Sequence, residues 1–584
     1  MTKKRIGMLL VLVMAFTVVL TGCGAKDDAG ETPTGDAPVE SPSDTGDADT
    51  GGEPSGTLKV GITEASGNFN PLYYSSAYDG YVVNLVFQGL ARTNFDGDEY
   101  EGVVAKDWTI SDDLKSITFE LRDDIVFSDG EPLTASDVVF TYKALADPSY
   151  DGRYGSTVKD LEGYDEYYAK ETEEFPGVVA DGDYKVTFNF KEALRTNFAN
   201  TTFEIMPEHY YGNDFVYGDT SSLAEFSSEP IGSGPYVVED YTEAQFIYLN
   251  RNDKFADDGY MIKEILMQFV DMSTDIVQFM NDEVDLLYGV IEPAKIKEAR
   301  DGGKEMNTYS RSGYGYVKTN NEAGPTADPE VRKALYYAFD IQGFVDSYFE
   351  DPDTGEPLAS TQYHPFSTSS WALDESFEAE LVQYTYDIEK AKQILDDAGW
   401  VVGSSGFREK DGQVLDIKVA AMPDHDILET LVPMWQASWG EELQAKVNVS
   451  FQEFNTILDY VIYDSDSNVD EWSLFFLATS ITSADPHSLY TSFHSDHIGS
   501  GKDNTSRYNN PEVDRLLDEG KVIVDPDEAR PIYQDVVKIL NEDAVMMPVY
   551  ANIYHDLYSP KLKNFTTAPL YDWTRAMEDA TMED

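Results

Sequence analysis

From Thr57 onward, strands of period two alternate with capped helices, and that alternation most constrains what the chain can fold into. TLKVGI (57–62), SITFELR (116–122) and YKVTFNFK (184–191) place apolar and polar residues alternately, as half-buried strands do. The helices carry their own boundaries. Asp328-Pro329 opens one whose Val331, Ala334, Leu335, Ala338 and Phe339 share a face. Asp387 caps another, with Ala391, Ile394, Leu395 and Ala398 at helical spacing and Gly399 as its stop. Asn510-Pro511 starts a third, with Val513, Leu516 and Leu517 facing inward and Gly520 expected to end it. Interleaved strands and helices predict an α/β (mixed α+β) class. No short-period repeat points to a solenoid or propeller.

The first 56 residues cannot join that core. Lys3, Lys4 and Arg5 precede an apolar run from Ile6 to Leu20, too short for a permanent membrane span. Leu20-Thr21-Gly22-Cys23 resembles the bacterial lipobox. That resemblance implies a lipoprotein signal peptide over 1–22 and lipidation of Cys23. Residues 24–56 have no aromatic, and Val39 is their one aliphatic side chain larger than alanine. Such a segment cannot offset its ordering entropy by burial. Residues 23–56 are therefore expected to be a lipidated cysteine and a disordered acidic tether. This would hold the body at the outer face of a cell membrane through the lipid anchor only. Cys23 is the chain's one cysteine, so no intrachain disulfide can form.

The formal charge of −66 repels nucleic acid and anionic lipid, which removes both from the expected partners. The seven histidines accompany no G-x-S-x-G elbow, H-E-x-x-H motif or P-loop, so no catalytic residue and no cofactor is assigned. His487, His494 and His497 lie close in sequence, but in a stretch that Gly499 and Gly501 mark as a loop. DSDSNVDE (464–471) begins like a calcium loop, yet Val469 stands where the turn glycine belongs. Neither is assigned as a metal site.

Six segments in order carry a family resemblance. AKDWTISDDLKSITFELRDDIVFSDGEPLTASDVVFTYK (105–143) holds a tryptophan, an Asp-rich turn, a strand ending in Leu-Arg, and Phe-x-Asp-Gly. Leu-Thr-Ala-x-Asp-Val then follows, with Thr134 able to cap a helix from Ala135. Pro230-Ile231-Gly232-Ser233-Gly234-Pro235-Tyr236 precedes Arg251-Asn252. DPEVRKALYYAFD (328–340), YDIEKAKQILDDAGW (386–400), SRYNNPEVDRLLDEG (506–520) and NEDAVMMPVY (541–550) follow. Together they resemble the extracellular solute-binding proteins of family 5, the peptide/nickel class of ABC-importer receptors. The resemblance implies a two-lobed periplasmic-binding-protein-like fold with an extra domain inserted in the first lobe. On that frame lobe one takes 57–90, 225–318 and 551–584, the inserted subdomain 91–224, and lobe two 319–550. The crossings between lobes are then expected near Tyr316–Asn320 and Tyr550–Tyr554.

The resemblance also implies a function. The expected protein captures oligopeptides in an interlobe cleft and delivers them to a membrane permease with a cytoplasmic ATPase. It is expected to be a monomer and not an enzyme. In peptide-binding members an aspartate, three residues before the acid of an Asp/Glu-Pro pair, typically holds the peptide's ammonium. Counting back from Asp485 gives Thr482. Thr479, Ser480 and Ile481 are expected to offer backbone groups to a ligand, and Asp485, Glu453 or an acid from another loop to substitute for the missing charge. Ser75, Ser76 and Ala77 form the corresponding contact segment of lobe one, and Tyr550 stands at the second crossing. Because position 482 is threonine, two alternatives stay open. One is an oligosaccharide or other solute without a free amine. The other is a nickel or metal chelate.

Overall fold

The computed structural model describes residues 53–74, 76–97, 99–225, 228–423, 425–481 and 483–583. Cys23, residues 24–52 of the tether, Ser75 and Thr482 lie outside these residues, and the last two residues of the expected tether, Ser55 and Gly56, instead open the first strand.

The alternating segment 57–62 becomes the strand Ser55–Ile62, with Leu58 and Val60 fully buried. It runs parallel to Ile262–Phe269 on one side and Leu286–Val290 on the other. These belong to a 12-stranded mixed sheet. Tyr236–Thr242 and Phe246–Arg251 extend it at one end. At the other end the order is Met546–Tyr558, Gly313–Thr319, Leu474–Ser480, Asp416–Ala421 and Lys446–Phe451. The long strand Met546–Tyr558 serves both halves. Its first residues pair with Lys318 to Gly315, and Ile553 to Tyr558 pair with Ser310 to Glu305.

The chain therefore changes halves at Arg311-Ser312, where Arg311 N–H donates to the Asn552 carbonyl at 3.0 Å. This is earlier than the expected Tyr316–Asn320. Asn320, at the end of the expected crossing, is fully buried. Its amide donates to the Val469 carbonyl at 2.7 Å and accepts from Glu322 and Ala323 N–H at 3.0 Å each. A polar side chain with its bonds completed sits inside at little cost.

Segment 91–224 contributes a separate antiparallel sheet in the order Ala105–Ile110, Ser116–Leu121, Lys185–Asn189 and Val178–Ala180. The two alternating segments read from the sequence are neighbours here, and Thr118 and Thr187 join their hydroxyls across the ladder at 2.9 Å. Helix Ala135–Ala146 packs beside this sheet, and the Asp137 carboxylate accepts from Thr134 N–H at 2.8 Å. Phe119 and Tyr142 share one core with Leu58 and Val60 of the large sheet.

The capped helices form as their signals predict. Asp328 accepts from Glu330 N–H at 3.1 Å, Asp387 from Lys390 N–H at 2.9 Å, and Asn510 from Glu512 N–H at 3.0 Å. Gly520 differs from expectation. The helix Pro511–Lys521 runs past it, and a Cβ there would lie 2.9 Å from the Tyr533 ring. Close packing, and not termination, requires glycine at that position.

Candidate functional site

A cavity of about 1010 Å³ opens between segment 91–224 and the second half of the sheet. Tyr100, Lys159, Asp160 and Arg195 line it from one side. Tyr314, Lys318, Trp371, Thr479, Ser480, Ile481, Asp485 and His487 line it from the other.

The strand Leu474–Ser480 delivers Thr479 and Ser480 to the cavity mouth. Phe475 and Phe476 are buried beneath it and anchor its start. Ile481 N–H donates to the Ser312 carbonyl at 2.7 Å, and the Ser312 hydroxyl returns a bond to the Ile481 carbonyl at 2.6 Å. The N–H of Ile481 is thus engaged by the crossing, and its carbonyl accepts one bond there. Gly313 lies opposite Ser480, so bonded pairs alternate along the ladder. Ala478 and Ser480 turn their own N–H and C=O toward the opposite edge. There the neighbouring strand Asp416–Ala421 pairs only as far as Phe475. The last turn of strand before the cavity therefore presents an open edge.

Asp485 is held from across the cavity. Arg195 donates Nε to one carboxylate oxygen at 2.5 Å and a terminal nitrogen to the other at 3.1 Å. Its remaining donors reach the carbonyls of Gly520 at 3.2 Å and Ile523 at 2.8 Å, and the Tyr533 hydroxyl at 3.0 Å. The guanidinium lies 5.0 Å from the centre of the Trp371 ring and 5.1 Å from that of Tyr533. Such a planar, bidentate and ring-stacked setting suits arginine and not lysine. The partners come from opposite walls, so the pair clasps the cavity.

Three other expected contacts do not line the cavity. Ser76 caps the helix Ala77–Val86, accepting from Asp79 N–H at 3.0 Å, and Ala77 is exposed at its start. Tyr550 is 1% exposed, and its ring covers Gly315 and contacts Phe349 at 4.7 Å. It is a core residue beneath the crossing, because the glycine opposite leaves room for its ring on the inner side. Of the histidines, His487 and His497 line the cavity, and Tyr490 stacks between His487 at 5.5 Å and His494 at 4.7 Å. Among the described residues no group of His, Cys, Asp or Glu side chains is placed to hold a metal ion. Asp466, in the calcium-like stretch, pairs with Arg507 at 2.9 Å.

The sequence model of the bacterial extracellular solute-binding proteins, family 5 (middle region), matches residues 99–500. The chain belongs to this family. Protein XP55 of Streptomyces lividans is 27% identical over 511 residues, covering 87% of this chain and 85% of that protein. The oligopeptide-binding protein AppA of Bacillus subtilis, solved in complex with a nonapeptide, superposes with a TM-score of 0.77 at 23% identity. The match covers 91% of this chain and 100% of that one. NikZ of Campylobacter jejuni, in complex with Ni(L-His), superposes with a TM-score of 0.74 at 22% identity, over 90% and 99%. The fold is thus that of the two-lobed periplasmic binding proteins, as the six segments led one to expect.

Three cavity residues of this family-5 protein escaped the sequence reading. Arg195 sits in a polar stretch that carries no motif. Asp160 is half-buried in the cavity wall, and burial raises its carboxyl above the usual range. Lys318 was hidden in the alternating run Tyr314-Gly315-Tyr316-Val317-Lys318. That run places the lysine on the same strand face as two tyrosines, a signal that was present and legible.

Proposed function

We propose that this family-5 protein is the lipid-anchored receptor of an ABC importer and captures oligopeptides in the cavity beside Leu474–Ser480. The observation that carries this reading is the open strand edge at Ala478 and Ser480. An extended peptide pairs its backbone with such an edge and places alternate side chains in the flanking space. Trp371, Tyr100 and Tyr490 supply aromatic faces for those side chains. Asp160 takes the place of the family's amine-binding aspartate, which position 482 lacks. Loaded receptor then docks on a permease whose cytoplasmic ATPase drives import, and the receptor acts as a monomer. Lipids on Cys23 keep it at the outer face of the membrane.

A second reading has one observation in its favour. Both oxygens of Asp485 are taken by Arg195, which leaves that loop without a spare carboxylate for an amine. A solute lacking a free amine then becomes the cargo.

Thermal-shift titration with three panels separates them: mixed peptides, oligosaccharides, and nickel with histidine. A cargo at 100 times its Kd adds about 2.7 kcal/mol of stability. Peptides are expected to raise Tm and the other panels to leave it unchanged. A response to sugars alone rejects the peptide reading. Replacing Cys23→Ala should release the protein from cells, read by fractionation; retention at the membrane rejects the anchor.

A further inference from the structure

Lys318 is a buried cation that faces the cavity with no carboxylate or hydrogen-bond partner among the described residues. It projects from Gly313–Thr319 on the face that also carries Tyr314, and both side chains reach the cavity wall. The residue is 7% exposed. Its ammonium lies 5.5 Å from the centre of the Tyr316 ring and 5.2 Å from that of Phe493. Those rings attract a cation but accept no full hydrogen bond. Among the described residues no carboxylate pairs with this ammonium and no oxygen accepts from it.

That arrangement is costly, because a buried charge needs a counter-charge or hydrogen bonds. Burial pushes the Lys318 ammonium down to about 8, and Asp503, an exposed acid, opposes the shift only in part. Near neutral pH the group is still mostly charged. Carboxylates are not scarce in a chain with 108 acidic and 42 basic residues. Arg195, in the same cavity, has every donor group answered from within the chain. Among the described residues Lys318 has none, and it lines that same cavity.

We infer that Lys318 receives a carboxylate of the cargo, held against the crossing strand between Tyr316 and Phe493. The inference rests on the receptor function proposed above but not on the cargo being a peptide. Charge-assisted N–H···O bonds are short and strong, and the aromatic walls keep water from screening this one. The acidic surface of the protein also disfavours polyanions. The preferred cargo is then a solute whose carboxylate is balanced by its own cation, with no net negative charge.

The test uses the full-length chain, purified without denaturation in detergent, and calorimetric titration after a thermal-shift screen. The probes are peptides with free C-termini, the same peptides amidated and lacking Asp and Glu, and small non-peptide acids that carry their own cation, such as glycine betaine and carnitine. Free-carboxylate solutes are expected to bind and their amidated counterparts to bind at least about 10-fold more weakly. Lys318→Met should weaken the best carboxylate by a similar factor, Lys318→Arg by less. Without solute, Lys318→Met should melt no lower than the parent, because it removes a buried charge. If that variant does not fold, Lys318→Gln replaces it. Three results overturn the inference: amidated peptides binding as tightly as free ones, an unchanged Kd in Lys318→Met, or no binding by any carboxylate. Binding of non-peptide acids without peptides would instead reject the oligopeptide cargo and leave the assignment of Lys318 standing.

Discussion

His487 shows how a side chain acquires its chemistry from its surroundings. Burial pushes its imidazole down to about 4, Asp485 opposes that shift, and Arg195, Lys521 and His497 add to it. The folded protein therefore keeps this histidine neutral, while the unfolded chain protonates it near pH 6.5. Below that value the unfolded state binds the extra proton, so stability falls as pH drops from about 6.5 toward 4. Above 6.5 the group has no effect. His487→Phe keeps the stacking on Tyr490 and removes the titration. Urea unfolding at a series of pH values should show a shallower acid loss for the variant, with the difference confined to that window. Equal slopes would mean that His487 is hydrated and titrates normally. Nothing in the sequence around Pro486-His487-Ser488 reports that burial, which depends on groups far along the chain.

At the scale of the element, the crossing strand Gly313–Thr319 decides how the cavity wall is built. A Cβ on Gly313 would lie 2.0 Å from the Thr479 carbonyl oxygen, so backbone meets backbone with no side chain between. Gly315 makes the same allowance for the Tyr550 ring at 2.3 Å. These glycines permit the strand to pair on both edges while its tyrosines and Lys318 face the cavity side. Gly313→Ala should cost at least about 1–3 kcal/mol, because the carbonyl cannot move without breaking the ladder. Denaturant midpoints measure that loss, and hydrogen exchange should show it first at residues 477–481. An unchanged midpoint would mean that the crossing shifts freely. The capped helices pose the opposite case. Asp328, Asp387 and Asn510 act within a few residues of themselves, so their signals could be read before any tertiary contact was known.

The whole molecule is governed by its charge. The whole chain carries −66, and most of that charge falls on the folded body, where like charge opposes compaction. Salt shortens the Debye length from about 10 Å at 0.1 M to about 3 Å at 1 M, and relieves that repulsion. Tm should therefore rise with sodium chloride over this range. Each kcal/mol gained is worth about 2–4 °C or less in a body of this size. A flat or falling Tm would show that local ion pairs, which salt weakens, outweigh the net repulsion. The Arg195–Asp485 clasp should be weakened least among them, since its guanidinium is largely shielded from solvent.

The mixed α/β class, the helix starts, the pairing-competent strands, and a family membership resting on six ordered segments were determined by the sequence alone. Each is written in local spacing, which survives without knowledge of the fold. Thr479, Ser480, Ile481 and Asp485 could likewise be placed at the cavity from their segment. The roles of those residues could not. Arg195 meets Asp485 across 290 positions, and that contact turns a candidate amine anchor into one half of a clasp. Tyr550 faces the core because Gly315 leaves it room, and Lys318 lines the cavity with its ammonium against the Phe493 ring. Burial and partnership are properties of what surrounds a side chain, and only the tertiary structure sets that.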